Sequence, residues 1–313
     1  MDQPSATPTL SIIIVSWNVA DLLMGCLRSI AATCPAGTEV IVVDSASSDD
    51  SVARIQAEFP GVVLLPQNEN VGFTKGTNIG LATAHGSFLM LLNPDTELLE
   101  GAAEAMMAAL RETPTMGIVG PRTLNADGSD QSTRRRFPTF RTAVFESTWL
   151  QPYAPRGLIE AYTVQDVADD ADAPVDWVQG SCLLARREVY GAIGGLDEGF
   201  VMYSEELDWC RRAKDAGWGV LYLGSARIIH YGGQSSAQVP ARTHILFNQS
   251  KLRYMRKYHG RAAAQSLRLI LLANFAAELV LEGLKGLLGH KRALRRERVN
   301  VYWQVLRSGL KVS

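Results

Sequence analysis

No two of the four cysteines are spaced as C-x-x-C, and no His/Cys cluster has the spacing of a zinc site. Cys26 and Cys182 sit among apolar residues and read as core, so reduced thiols are expected rather than a disulfide framework. An excess of one charge sign is missing too. Lys and Arg number 31 against 32 Asp and Glu, a formal net charge of -1, which leaves no global basic field of the kind nucleic acid selects. The start, Met1-Asp2-Gln3-Pro4-Ser5, has neither a basic residue nor an apolar run before the first strand, and no signal peptide is expected. No Ser/His or Cys/His nucleophile arrangement is visible, and no standard phosphate loop.

What is present is ordinary globular usage, 47% hydrophobic and 20% charged, over 313 residues. That length suffices for one large domain or for a domain with an appendage. Strands are predicted at Leu10–Ser16, Glu39–Asp44, 62–66 and 87–92. Helical spacing falls between them at 20–32, 50–59, 72–84 and 101–111. Such alternation with apolar strands predicts an α/β fold, a mostly parallel sheet covered on both faces, with ligands beyond the carboxyl ends of its strands. From Asn125 to Asp176 the pattern weakens to loops and short elements. It returns at 177–185, in a helix over 205–216 and in a strand at 220–223. Residues 261–313 read as helical, so the expected division is an α/β domain over 1–260 and a helical region over 261–313.

Polar residues at strand ends are the candidates for chemistry. Asp95, in Asn93-Pro94-Asp95, directly follows the strand 88–92; its carboxylate can hold a hard divalent ion or merely shape a turn. Asp44 ends the second strand, where it can accept a hydrogen bond from a pyrimidine N–H, while Ser48 or Asp49 is expected to cap the following helix. The segment Asn70–Gly80 ends a third strand. Its glycines, Gly72 among them, let backbone approach a ligand, and Lys75 and Asn78 are donors.

In this order, I-I-V-S-W-N, V-V-D-S, N-x-G-F-x-x-G-x-N-x-G and L-N-P-D resemble the inverting family-2 glycosyltransferases of the GT-A fold. The later blocks Gly194–Phe200 and Tyr203–Arg212 are similar to that family's acceptor-side signature, and the bacterial rhamnosyltransferase type is nearest in style. The resemblance covers roughly residues 8–260. It implies transfer of a hexosyl or deoxyhexosyl group, L-rhamnose among the options, from a UDP or dTDP sugar to a glycan or polyprenyl-linked acceptor. The product would be a cell-wall or surface-polysaccharide intermediate.

The resemblance also implies roles. Asp44 reads the base, helped by Asn70–Asn78. Asp95 binds Mg2+ or Mn2+, with Asn93 at the position where the family more often has Asp. His230, in Ile228-Ile229-His230-Tyr231-Gly232-Gly233, is the second metal ligand, ahead of a Gly-rich loop able to fold over the diphosphate. The general base lies in the pair Glu205-Glu206; Glu206 holds the matching position and Glu205 is its rival. A single displacement needs one such carboxylate. Trp177, Gln179, Gly180 and Asp208 are expected along the acceptor cleft. The cluster Arg134-Arg135-Arg136 meets either an anion or solvent. A nucleotidyltransferase would want a Gly-rich loop with Arg and Lys where Ser16-Trp17-Asn18 stands. A non-catalytic nucleotide-sugar-binding or scaffolding protein is the alternative that Asn93 and Glu206 leave open.

In the tail, Asn274, Glu278, Glu282 and Lys285 form one polar stripe on a broadly apolar helix, too charged to span a bilayer. Lys291, Arg292, Arg295, Arg296 and Arg298 follow, then Tyr302 and Trp303. That combination predicts a helix lying on an anionic membrane surface at the cytoplasmic face; packing on the α/β domain or on a second copy in a homo-oligomer is the other reading.

Overall fold

The computed structural model describes residues 8–146, 148–232, 238–289 and 291–312. The chain forms two compact units. The first takes the described residues of 1–137, 163–198 and 205–235, and the second those of 138–162, 199–204 and 236–313. This division differs from the one expected at residue 260: the second unit also takes the described residues of 138–162, 199–204 and 236–260.

The first unit alternates as the apolar periodicity predicts. Its first half is β1 (Leu10–Ser16), α1 (Ala20–Thr33), β2 (Glu39–Asp44), α2 (Ser51–Glu58), β3 (Val63–Pro66), α3 (Phe73–Thr83), β4 (Phe88–Leu92), β5 (Thr96–Leu98) and α4 (Ala102–Glu112). Then come β6 (Met116–Leu124), β7 (Asp130–Gln131), β8 (Arg134–Arg135), β9 (Ala173–Val175), β10 (Trp177–Val178), β11 (Cys182–Arg186), α7 (Arg187–Ile193), α8 (Glu205–Asp215) and β12 (Gly219–His230). The main sheet runs β3-β2-β1-β4-β11-β6-β12-β5, with β7 on β6 and β9 on β12. Parallel pairs join β3, β2, β1 and β4, and β6 is parallel to β12. Because β11 is antiparallel to both β4 and β6, these six strands share one direction.

Every residue of β1 and of β4 is buried, as strands covered on both faces require. Leu23, Met24, Met106 and Leu110 of the flanking helices close on Ile12, Ile14 and Met90. Each such side chain contributes about 1.5–3 kcal/mol when removed from water. Two glycines of α3 serve this packing rather than a ligand. A Cβ on Gly76 would lie 2.8 Å from Val15, and one on Gly80 2.4 Å from Ile13, so the helix lies directly on β1.

The second unit holds α5 (Phe140–Phe145), a 3-10 turn at Gln151–Tyr153, α6 (Leu158–Tyr162), α9 (Pro240–Leu287) and α10 (Arg292–Ser308). Gly260 breaks α9 with φ 90° and ψ 167°, so α9 is two helices joined at a kink. Its second half packs against α10. Tyr302, half-buried, stands against His244 and Phe275, with ring centroids 6.3 and 5.8 Å away. Trp303 is exposed. Of the polar stripe, Asn274 is buried and its Oδ1 accepts from the Trp149 N–H at 3.2 Å. Glu282, 2% exposed, pairs with Arg295 and, at 3.2 Å, with Lys285. Asn274 and Glu282 of the stripe thus face inward, Glu278 is half-buried and Lys285 exposed, while Leu281, Leu284, Leu287 (80% exposed) and Leu288 (87%) face out. No helix among the described residues is long and apolar enough to cross a membrane.

Candidate active site

The shared strand direction delivers the ends of β1, β2 and β4 to one edge. Asp44 stands opposite Ser16, and Leu92 opposite Ile14. Asp44 is 1% exposed; its Oδ1 accepts the Ser47 N–H at 2.9 Å, and its Oδ2 is buried with no hydrogen bond among the described residues. The N-cap of α2 is Asp50, with no side-chain cap, rather than the expected Ser48 or Asp49; Asp49, one residue before it, accepts on Oδ1 from the Ser51 N–H at 3.1 Å and the Ser51 hydroxyl at 2.6 Å. Asn70 lies beside Asp44 through Ser45. The Ser45 hydroxyl accepts the Val71 N–H at 3.1 Å, and Asn70 Oδ1 accepts the Gly72 N–H at 3.0 Å. Gly72 has φ 78° and turns the chain into α3, leaving Lys75 exposed on the first turn. Ser16, whose hydroxyl is buried and unpartnered at the same edge, gave no signal in the sequence beyond ending a strand.

Asp95 and His230 meet through pairing of β5 with β12, which sets His230 opposite Thr96; the Tyr231 N–H donates to the Asp95 carbonyl at 2.9 Å. Buried Asp95 presents Oδ1 3.3 Å from His230 Nε2, a nitrogen with no hydrogen bond among the described residues. His230 Nδ1 is 3.0 Å from Gln131 Oε1. A carboxylate oxygen and an imidazole nitrogen facing each other this closely suit a shared divalent cation. Among the described residues no third His, Cys, Asp or Glu joins them, so further ligands would come from diphosphate oxygens and water. Residues 233–237, where the expected closing loop falls, lie outside the described residues.

The third group is the acidic pair at the start of α8. Glu205 is buried, with Oε2 unpartnered, and its carboxyl is pushed well above the usual range by burial and by the neighbouring Glu206 charge. Burial raises Glu206 as well, against backbone N–H groups of Glu206 itself, Leu207 and Gly180 that stabilise its charged form. Glu206 is half-buried, so it is the member better suited to stay ionised, while Glu205 is the one to hold a proton. The two ends of the site are tied together by Gly180 and Ser181. A Cβ on Gly180 would lie 3.5 Å from Glu206 Cγ, and the Ser181 carbonyl accepts the Asn93 N–H at 3.0 Å. The expected strand 177–185 breaks after Val178, and residues 179–181 bend between Glu206 and the Asp95 turn.

Several candidates are placed elsewhere. Asn78 turns its amide to the chain, accepting the Leu196 N–H at 2.8 Å and donating at 3.0 Å to the Leu196 carbonyl and to Glu198. Asp208 is 0% exposed and accepts from Arg212 Nε at 2.8 Å. Arg212 donates onward to the carbonyls of Ile193 and Gly195, and Trp209 Nε1 to that of Gly194. The Asp-Trp-x-x-Arg part of α8 is therefore a brace on the Gly194-Gly195 turn, and Asp208, expected along the acceptor cleft, is buried in that brace. Trp177 is buried with Nε1 donating to the Arg136 carbonyl at 2.9 Å; Gln179 is half-buried beside Gly180. Arg134 is buried on Asp169 at 2.6 Å and over the Tyr222 ring at 4.9 Å. It anchors 164–169 through the carbonyls of Val164 and Val167 and the Asp169 carboxylate.

A parallel α/β sheet with such an edge is the framework of the GT-A glycosyltransferases. The sequence matches the family model described as Glycosyl transferase family 2 over residues 11–175. The chain belongs to that family and is a glycosyltransferase. Among curated proteins it is 28% identical over 246 residues to the N-acetylglucosaminyl-diphospho-decaprenol L-rhamnosyltransferase of Mycobacterium tuberculosis, covering 75% of this chain and 80% of that one. It is 26% identical to the low-salt glycan biosynthesis hexosyltransferase of Haloferax volcanii, covering 68% of this chain and 64% of that one. Among solved structures, a mannosyltransferase from Pyrobaculum calidifontis in complex with GDP-Man and Mn2+ superposes with a TM-score of 0.58 at 17% identity, covering 99% of this chain and 88% of that one. GalNAc-T7 with UDP, GalNAc and Mn2+ does so with 0.55 at 16% identity, covering 71% and 43%. These likenesses carry the GT-A fold.

Proposed function

We propose that the chain transfers a deoxyhexosyl or hexosyl group, with inversion, from a dTDP or UDP sugar to a hydroxyl of a lipid-linked glycan at an anionic membrane surface. The observation that carries this is a set of unpartnered buried atoms around the carboxyl-end edge of one sheet: Asp44 Oδ2, His230 Nε2 facing Asp95, and Glu206 Oε2. Asp44 accepts the pyrimidine N–H, with the Asn70–Lys75 segment beside it. Asn78 serves by holding Leu196–Glu198. Asp95 and His230 hold Mg2+ or Mn2+, with Asn93 adjacent, and the cation when bound neutralises charge on the departing diphosphate. Glu206 removes the acceptor proton as the bond from acceptor oxygen to anomeric carbon forms and the bond from that carbon to the diphosphate breaks. Gln179 and Gly180 flank the base, where the acceptor must arrive.

The membrane reading rests on the second unit. Its outward leucines lie on the helix that leads into Lys291, Arg292, Arg296 and Arg298, all exposed. A cavity of about 590 Å3 at the Gly260 kink is lined by Arg256, Arg261, Arg268 and Lys311 with no acidic residue. Such surfaces suit anionic headgroups. The mycobacterial relative is named for a decaprenol-linked substrate, which supports a peripheral position at the cytoplasmic face. The test is incubation of the protein with Mn2+, a panel of dTDP and UDP sugars that includes dTDP-L-rhamnose, and a polyprenyl-diphosphate-linked N-acetylglucosamine. A product of inverted anomeric configuration is expected. Retention of configuration, or no transfer from any of these donors, contradicts the proposal.

A further inference from the structure

The hydrogen bonds behind His230 run in one direction, and the direction can be read from their far end. Asp127 and Ser129 lie on the turn between β6 and β7. Ser129 Oγ is 2.6 Å from Asp127 Oδ1 and donates to it, because a carboxylate only accepts. Having donated its proton, Ser129 Oγ accepts from Asn125 Nδ2 at 2.9 Å. Asn125 therefore turns Oδ1 toward Gln131 Nε2, 2.7 Å away. The same Nε2 donates to the His230 carbonyl at 2.7 Å, an acceptor with no proton to give. Two acceptors thus fix the Gln131 amide, which leaves Gln131 Oε1 as the atom 3.0 Å from His230 Nδ1. Nδ1 must carry the ring proton, so the neutral imidazole has its lone pair on Nε2, the nitrogen 3.3 Å from Asp95 Oδ1.

We propose that Gln131, oriented by Asn125, Ser129 and Asp127, is a positioning residue that holds His230 in the Nδ1–H tautomer and aims its Nε2 lone pair at the space shared with Asp95. The tautomer stands on the hydrogen bonds alone; its consequence for cation binding rests on the metal reading of Asp95 and His230. Gln131 also clamps the His230 carbonyl, so ring and backbone are held by one side chain. Partners of this kind orient a ligating histidine, and losing one typically costs about 10–100-fold in metal affinity.

The direct test is the nitrogen spectrum of the five histidines in the metal-free, full-length protein, at about pH 8.5, two units above the usual imidazole pKa of about 6.5. His230 is assigned from its loss in His230→Gln. The wild type should show the Nδ1–H pattern at His230. Gln131→Leu should convert it to the Nε2–H form or a mixture, and Asn125→Ala, which leaves Gln131 in place but frees its amide, should do so in part. Mn2+ affinity with nucleoside diphosphate present should fall about 10–100-fold in Gln131→Leu. A wild-type His230 protonated at Nε2, or a tautomer indifferent to both variants, overturns the proposal. A tautomer that follows Gln131 in a protein that binds no Mn2+ upholds it and removes the metal reading instead.

Discussion

The α/β unit and the α9–α10 helices dispose of their side chains in opposite ways. In the first, apolar strands and helix faces close on one another, and unpartnered polar atoms gather at one edge. In the second, beyond Phe275, the buried residue of α9 is the charged Glu282, matched by Arg295, while leucines face out. The first pattern is an apolar core that leaves polar groups without partners at one edge. The second leaves apolar area in water, a cost that only a further surface removes.

The largest effects should come at the sheet edge. Asp95→Ala removes the carboxylate facing His230, and turnover should fall to background; EDTA should do the same to the wild type. Steady-state rates with and without chelator check this, and full activity in EDTA contradicts the cation role of both residues. A smaller effect is expected from the helices. Leu287→Asp with Leu288→Asp in the full chain should weaken binding to anionic vesicles at least tenfold, since each buried leucine contributes about 1.5–3 kcal/mol. Sedimentation with vesicles measures it. Equal partitioning of variant and wild type would assign the leucines to assembly, and a concentration-dependent mass would then accompany them.

The smallest effect separates function from stability within the edge itself. The folded Glu205 carboxyl is raised above its unfolded value, so the folded state binds more protons and stability falls as pH rises above the ordinary carboxylate range. Glu205→Gln should therefore raise Tm at pH 7 by about 2 °C or more, roughly the shift that 1 kcal/mol produces in a large domain. The gain should vanish near about pH 3, where wild-type Glu205 is protonated in both states. A constant gain at all pH values would mean that the carboxyl is not the source.

Much of this was legible in the sequence where information is local. All-apolar runs such as Ile12–Val15 and Phe88–Leu92 announce strands buried on both faces, and Asp44 and Asp95 follow from standing at the ends of β2 and β4. What was hidden is set by distant partners. β12 was visible only at 220–223, yet a bulge between Leu223 and Arg227 lets it continue to His230, where β5 is waiting. Gln131 lies in a segment of weak pattern, 99 residues from the ring it holds. The motif glycines Gly76 and Gly80 suggested ligand contact, but the side chains of Ile13 and Val15 fill that space. Asp208 had the composition of a site residue, and only the carbonyls of Ile193 and Gly195 explain its partner Arg212. In the tail the polar stripe was visible, but not that Glu282 within it is buried, because the sequence of α9 does not reveal that Arg295 waits on α10.

The most direct measurement is the paired kinetics of Glu206→Gln and Glu205→Gln, with donor affinity determined separately. General-base transfer contributes typically ~10²–10⁴-fold. With Glu206 as the base, Glu206→Gln should lower kcat by at least about 100-fold and leave donor affinity unchanged, while Glu205→Gln keeps most of its activity. A near-normal Glu206→Gln beside an inactive Glu205→Gln would contradict the assignment and move the base by one residue. Full activity in both would contradict the acidic pair as the source of the base altogether.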